Sequence, residues 1–182
     1  MDNILIASAQ SLDSHWAATT DVLQLLEDHD LCLKLEKCVW EAPHVNYLGL
    51  ILEKGVTHMD PTKIEGIEFW PTPTSVKQVP SFMGFCNFYC PFIHQFAHVA
   101  KPLNALIRKD IQWEWTSQHQ NAFDTLWSQV TTEPILLQPQ LNLQFELEIY
   151  VSGFALEAVL TQQDKEGKGH PVAYYSSTLS ET

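Results

Sequence analysis

Residues 47–103 read YLGLILEKGVTHMDPTKIEGIEFWPTPTSVKQVPSFMGFCNFYCPFIHQFAHVAKPL. The apolar, β-rich run from Val45 to Leu52 breaks at Lys54-Gly55, a composition suited to a hairpin turn. Asp60-Pro61 then predicts a short helix, with Asp60 as cap and Pro61 in the first helical position. Pro71 and Pro73 close that helix after Trp70, because a proline pushes its predecessor away from helical angles. Thr74 or Ser75 caps a second predicted helix, with Val76, Val79, Met83, Cys86 and Tyr89 on one face. Starting there, it would hold Pro80 beyond its first turn, where a proline costs about 3 kcal/mol and kinks the axis. Pro91 starts a third helix, whose Phe92, Phe96, Val99, Ala100, Leu103 and Ile107 keep a helical period.

The flanks extend this centre into an α+β fold. Upstream, Ile4–Ala7 predicts a buried strand, Leu12–Asp28 a helix capped near Ser11 or Asp13, and Leu31–Leu35 a second strand. Downstream, Thr116 caps a helix that puts Ala122, Phe123, Leu126 and Val130 on one face and ends at Glu133-Pro134. Trp113 and Trp115 alternate with polar residues, so one of the two is expected to seal a core edge. Ile135–Leu137 is a short apolar run. Phe145, Leu147, Ile149 and Val151 then alternate with Glu146, Glu148 and Tyr150, the mark of a two-faced strand. Ala155–Gln162 and Pro171–Ser176 complete a three-stranded antiparallel meander, joined by the loop 164–169.

With 182 residues, 45% of them hydrophobic, the chain has material for a core and for one or two domains. The four cysteines, Cys32, Cys38, Cys86 and Cys90, lack paired zinc-site spacing and read as reduced intracellular thiols. No apolar run approaches the ~20 residues that cross a bilayer, so no membrane partner is expected. Net charge is −12, but it is unevenly spread. Residues 1–43 carry 2 basic and 8 acidic side chains, residues 44–109 carry 6 and 4, and residues 110–182 carry 2 and 10. Only the centre is not acidic, and a polyphosphate partner would contact the chain there. No Ser/His/Asp arrangement, HExxH, P-loop or GxGxxG occurs.

The ordered pieces YLG, DPTKIEGI, WPTPTSVKQ, SFMGFCNFY and AKPL resemble the primer-grip hairpin, thumb and start of the connection in reverse transcriptases of gypsy-class LTR retrotransposons. The resemblance covers nearly all of the chain. It implies the end of a polymerase palm with its primer-grip hairpin over 1–59 and thumb and connection helices over 60–110. The connection end and the first strands of a truncated RNase H-like domain follow over 111–182. Met1-Asp2-Asn3 resembles the end of the palm's catalytic motif, which makes Asp2 a metal-ligand remnant and Asn3 the replacement of a usual aspartate. Tyr47, Leu48 and Gly49 stand in the primer grip, and Lys77 and Lys101 remain as candidate nucleic-acid contacts. Where the family has basic residues before SF-x-G and after NFY, this chain has Val79-Pro80 and Cys90-Pro91. The RNase H metal-binding aspartate aligns with Tyr150, a phenol that stays protonated near pH 7, with Glu148 two residues away on the same face.

The family's cofactor is Mg²⁺ or Mn²⁺, and its partner is an RNA/DNA template–primer. The implied function is that of a reverse transcriptase/RNase H fragment from an RNA-directed DNA polymerase polyprotein, located in cytoplasm or nucleus and expected to be catalytically inactive as an isolated chain. Two alternatives stand beside it. One is a non-catalytic nucleic-acid- or protein-binding module built on the thumb helices, and the other is a mis-cut piece of an active polyprotein.

Overall fold

A computed structural model describes residues 3–8, 11–53, 55–109, 111–132 and 135–179. Helix α1 (Leu12–Asp28) has the predicted bounds. Ser11 caps it in a reciprocal box, its hydroxyl accepting from the Ser14 amide while the Ser14 hydroxyl accepts from the Ser11 amide. The flanking predictions fail. Ile4–Ala7 is irregular, with Ile4 and Leu5 exposed. Leu31–Leu35 is irregular too and runs into a single 3₁₀ turn, Leu35–Lys37. Apolar composition makes a strand only where a neighbour completes the ladder, and neither segment has one among the described residues.

The run read as one apolar strand is folded in half. Strands β1 (His44–Tyr47) and β2 (Leu50–Glu53) are antiparallel, with Tyr47 opposite Leu50. Leu48 and Gly49 form the two-residue connection at φ of 53° and 81°. Positive φ at both central residues is the signature of a type I′ hairpin turn, whose twist matches that of the strands. A second hairpin connection, between paired Glu53 and Val56 and with Gly55 at φ 79°, leads to β3 (Val56–Met59) at the predicted break; Lys54 lies outside the described residues. Strand β4 (Ile135–Leu137) pairs with β3 from much later in the chain, giving the order β1-β2-β3-β4. The Gln138 amide donates to the Gly55 carbonyl at 2.7 Å and its side-chain nitrogen to the Val56 carbonyl at 3.0 Å, which extends that pairing.

Helix α2 (Pro61–Glu68) starts as predicted, on Asp60 with Pro61 in the first turn. The next helix does not. The Gln78 side chain accepts from the Thr74 amide (2.7 Å) and hydroxyl (3.2 Å), holding residues 74–78 in turns, and α3 spans Val79–Phe88. Pro80 therefore sits in the first turn, where its missing N–H would have been unpaired anyway and the cost of an interior proline does not arise. Pro91 lies in a 3₁₀ turn (Cys90–Phe92), and Gln95 at φ 55° separates it from α4 (Phe96–Leu106). Within that third predicted stripe Phe92, Phe96, Ala100 and Leu103 are buried, whereas Ile107 has run past the helix end and is exposed.

Helix α5 (Ser117–Thr131) is boxed by Thr116 and His119 and buries Ala122, Phe123, Leu126 and Val130 as expected. Trp113 and Trp115 stack on each other at 5.7 Å and pack against the core. That core lies among α2, α3, α4 and α5, with Phe82 against Phe123 (4.5 Å) and the Trp127 indole N–H donating to the Ile67 carbonyl (3.1 Å). The second sheet consists of β5 (Phe145–Val151), β6 (Ala155–Gln163) and β7 (Gly169–Thr178), antiparallel in chain order. Its last two strands run slightly beyond their predicted ends.

Candidate nucleic-acid interface

The tip of the β1–β2 hairpin is fastened to the start of α2 by one acid. Asp60 is buried. Its carboxylate accepts from the Thr62 amide (2.9 Å), the Thr62 hydroxyl (2.8 Å) and the Asn46 side-chain amide on β1. Those hydrogen bonds, the Thr62 side chain's first, hold its pKa below the usual carboxylate value. The Asp60 backbone N–H donates to the Gly49 carbonyl at 3.1 Å, and the Tyr89 hydroxyl at the end of α3 donates to the same oxygen at 3.4 Å. Burial and the nearby Asp60 push the Tyr89 phenol up, so it remains a donor at neutral pH.

Leu48 projects from this fastened turn in a conformation that leucine ordinarily avoids, and it is 56% exposed. Non-glycine residues in the left-handed region carry strain of about 1–2 kcal/mol, and such strain concentrates at functional positions. Gly49 is required here for its backbone: a Cβ would add a contact 3.4 Å from the Tyr89 hydroxyl, close but tolerable, yet φ of 81° disfavours any L side chain.

Helix α3 supplies the opposite wall. Val79, Phe82, Met83 and Cys86 are buried in the core, where desolvation pushes the Cys86 thiol up to about 12. Ser81, Gly84 and Phe88 fall on the other face, at intervals of three and four residues, and are exposed. Nothing lies within 4 Å of where a Gly84 Cβ would stand. The helix backbone is therefore bare beside an exposed aromatic ring, a surface that a flat or ridged partner can approach closely. Between hairpin and helix lies an open concavity of 380 Å³ lined by Leu48, Gly49, Lys63, Phe85, Phe88 and Tyr89. Apolar walls with one ammonium group suit a sugar or base edge next to a phosphate.

The residues singled out by sequence divide around this site. Leu48 and Gly49 line it, and Tyr47 ends β1 immediately before it. Lys77 is exposed in the turns that precede α3. Lys101 is turned elsewhere: its ammonium lies 3.9 Å from the Phe154 ring centroid. Asp2 lies outside the described residues, and Asn3 is exposed in irregular chain. Lys63, Gly84 and Phe88 were not singled out. Their signals were present: an isolated glycine inside a helical pattern, an aromatic four residues on and off the apolar stripe, and a lysine two residues after the first-turn proline.

Divalent-metal chemistry, which reverse transcriptases and RNases H use, needs converging carboxylates. Among the described residues no group of three or more His, Cys, Asp and Glu is placed to hold a metal. Tyr150 is half exposed, and its hydroxyl donates to the Glu148 carboxylate, which pushes the phenol pKa up. A phenol so held offers no anionic oxygen to a hard cation, so the residues at this position do not fit Mg²⁺ or Mn²⁺.

Comparison with known proteins bears on the whole chain. Residues 115–182 match the RNase H-like domain found in reverse transcriptase. The Tf2-7 and Tf2-3 transposon polyproteins of Schizosaccharomyces pombe are each 33% identical over 181 residues, which is 99% of this chain and 13% of the polyprotein. The chain thus spans about an eighth of those relatives. A foamy viral protease–reverse transcriptase in complex with double-stranded DNA superposes with a TM-score of 0.71, at 20% identity, over 95% of this chain and 36% of that one. The same kind of protein in complex with an RNA/DNA hybrid also gives 0.71, at 21% identity, over 96% and 24%. At these identities the superpositions establish the fold.

Proposed function

We propose that this chain, a reverse transcriptase and RNase H-like segment of a retrotransposon polyprotein, holds a template–primer duplex between its β1–β2 hairpin and α3 and performs no phosphoryl transfer by itself. The observation that carries the reading is the strained, solvent-facing Leu48 set against the exposed Phe88 across a concavity that Lys63 also lines, with the bare Gly84 one turn before Phe88 on α3. The duplex and the hybrid bound by the foamy viral proteins supply the ligand class. Charge supports the location: residues 44–109 hold 6 of the 10 basic side chains. The rest of the chain is strongly acidic, so a bound polyanion is confined to this strip.

The division of labour follows the segments proposed from sequence. The palm end over 1–59 contributes the hairpin and the helices over 60–110 contribute the opposing wall. The unit over 111–182 contributes a strand to the first sheet and carries the terminal sheet. The four cysteines are free thiols, in keeping with an intracellular site of action. The Tyr150 phenol and Asn3 in place of a carboxylate support the reading that the isolated chain is inactive.

Fluorescence anisotropy with a labelled RNA/DNA template–primer at low salt tests the binding, and Mg²⁺- or Mn²⁺-dependent primer extension tests the inactivity. Saturable binding without extension is expected. Extension above an Asp2→Ala control would overturn the inactivity, and absence of binding at low salt would overturn the interface.

A further inference from the structure

Helix α4 begins without a cap of its own. Its preceding residue, Gln95, is in the left-handed region and makes no side-chain cap hydrogen bond. The first amides of a helix have no intrahelical acceptor, and a buried N–H left unpaired is costly. Ala97 is buried, and its N–H donates to the Ser176 hydroxyl of β7 at 2.8 Å, across 79 residues of sequence. Ser176 in turn donates weakly, at 3.5 Å, to the Glu157 carboxylate on the neighbouring strand β6. An acceptor hydroxyl backed by a carboxylate is what a helix N-terminus prefers, and here the terminal sheet delivers it.

A second contact repeats the connection one turn further along α4. The Lys101 ammonium lies 3.9 Å from the centroid of Phe154, in the β5–β6 turn, and the His98 ring lies 5.6 Å from the same ring. Phe154 is held in place because its carbonyl accepts from the Leu179 amide just after β7. The sheet therefore touches α4 at two points, a cap at its first turn and a cation over an aromatic ring at mid-helix.

The geometry points to Ser176 as the N-cap of α4, supplied by the RNase H-like sheet, and to Lys101 as the positioning residue of that sheet through Phe154 rather than a phosphate contact. The helical wall and the terminal sheet then fold and move as one body, although they lie on opposite sides of the proposed boundary near residue 110. This coupling stands on intramolecular contacts alone and holds whether or not the chain binds a duplex.

Amide hydrogen exchange on the full chain tests it, with variants chosen to preserve the fold. Ser176→Ala is expected to speed exchange at Ala97 about fivefold, the size of a lost N-cap, while Ser176→Thr keeps the native rate. Lys101→Met is expected to speed exchange at Leu179 about threefold, as for a lost exposed cation–π contact, and Lys101→Arg restores it. In the double variant, Ser176→Ala with Lys101→Met, exchange at either amide should speed by less than the product of the two single-variant effects there, because losing one contact already weakens the other. An unchanged Ala97 rate in Ser176→Ala would overturn the cap. An unchanged Leu179 rate in Lys101→Met would overturn the positioning role, as would a duplex-binding salt slope reduced by one in that variant, the signature of a lost phosphate contact. Independent effects in the double variant would overturn the single-body coupling.

Discussion

Leu48→Asn should make the protein more stable and a poorer binder. Leu48 occupies the first position of a two-residue turn at φ 53°, followed by Gly49 at φ 81°. Asn-Gly is the preferred pair for this turn type, and asparagine enters the left-handed region with less strain than leucine, which pays about 1–2 kcal/mol there. Because Leu48 is 56% exposed, its replacement forfeits little buried apolar area. The net gain is about 1 kcal/mol, the strain relieved less the packing against the concavity. For a chain of this length that is a rise of about 2–4 °C in Tm. Urea titration of the two proteins followed by tryptophan fluorescence measures it. The same variant should bind duplex more weakly, because the apolar tip is lost. A stability equal to or below that of the parent would refute the assignment of strain to Leu48, and unchanged duplex affinity would refute the assignment of function to it.

Phe88→Ala should leave stability within about 0.5 kcal/mol, as for other exposed positions, while weakening duplex binding by about tenfold, the lower range of a lost aromatic stacking contact; parallel anisotropy and urea titrations separate the two. Gln162 is fully buried, its side chain donating to the Gln140 carbonyl and accepting from the Gln140 amide, each at 2.9 Å. Gln162→Leu strands both backbone groups and should cost about 1–3 kcal/mol, read as a lower urea midpoint with an unchanged slope. Asp164 accepts from His170 at 2.7 Å and from the Glu166 and Lys168 amides, and the His170 hydrogen bond leads the causes that hold its pKa below 3.8. A depressed folded-state pKa stabilises above the unfolded value and is lost as pH falls through the folded one. The β6–β7 turn should therefore be protected from exchange at pH 5 and loosen below pH 3.8, and Asp164→Asn should abolish that dependence.

The helical half of the fold was legible because its determinants are local. Ser11, Asp60-Pro61 and Thr116 name helix starts by their own chemistry, and the structure caps those helices there. The start of α3 was misjudged because Thr74 and Ser75 look like caps, while the Gln78 side chain takes the Thr74 donors and delays the helix to Val79. Strands are set by partners that sequence does not display. Ile4–Ala7 and Leu31–Leu35 are as apolar as β2 yet stay irregular, and Val45–Leu52 folds back where positive φ is available at Gly49. The same division holds for the site. The YLG turn was visible as a motif, but its wall depends on which face of α3 the core leaves exposed. Lys101 reads as a free cation until Phe154, 53 residues later in the chain, is found beneath it.

The most direct test of the template–primer interface is the salt dependence of RNA/DNA duplex binding by the unmodified chain, measured beside a Lys63→Gln variant. Each phosphate neutralised by a lysine adds about 0.9 to the slope of log affinity against log salt. Saturable binding at low salt, with a slope about one unit shallower in Lys63→Gln, is the predicted result. No binding at low salt, or a slope unaffected by the loss of Lys63, would contradict it.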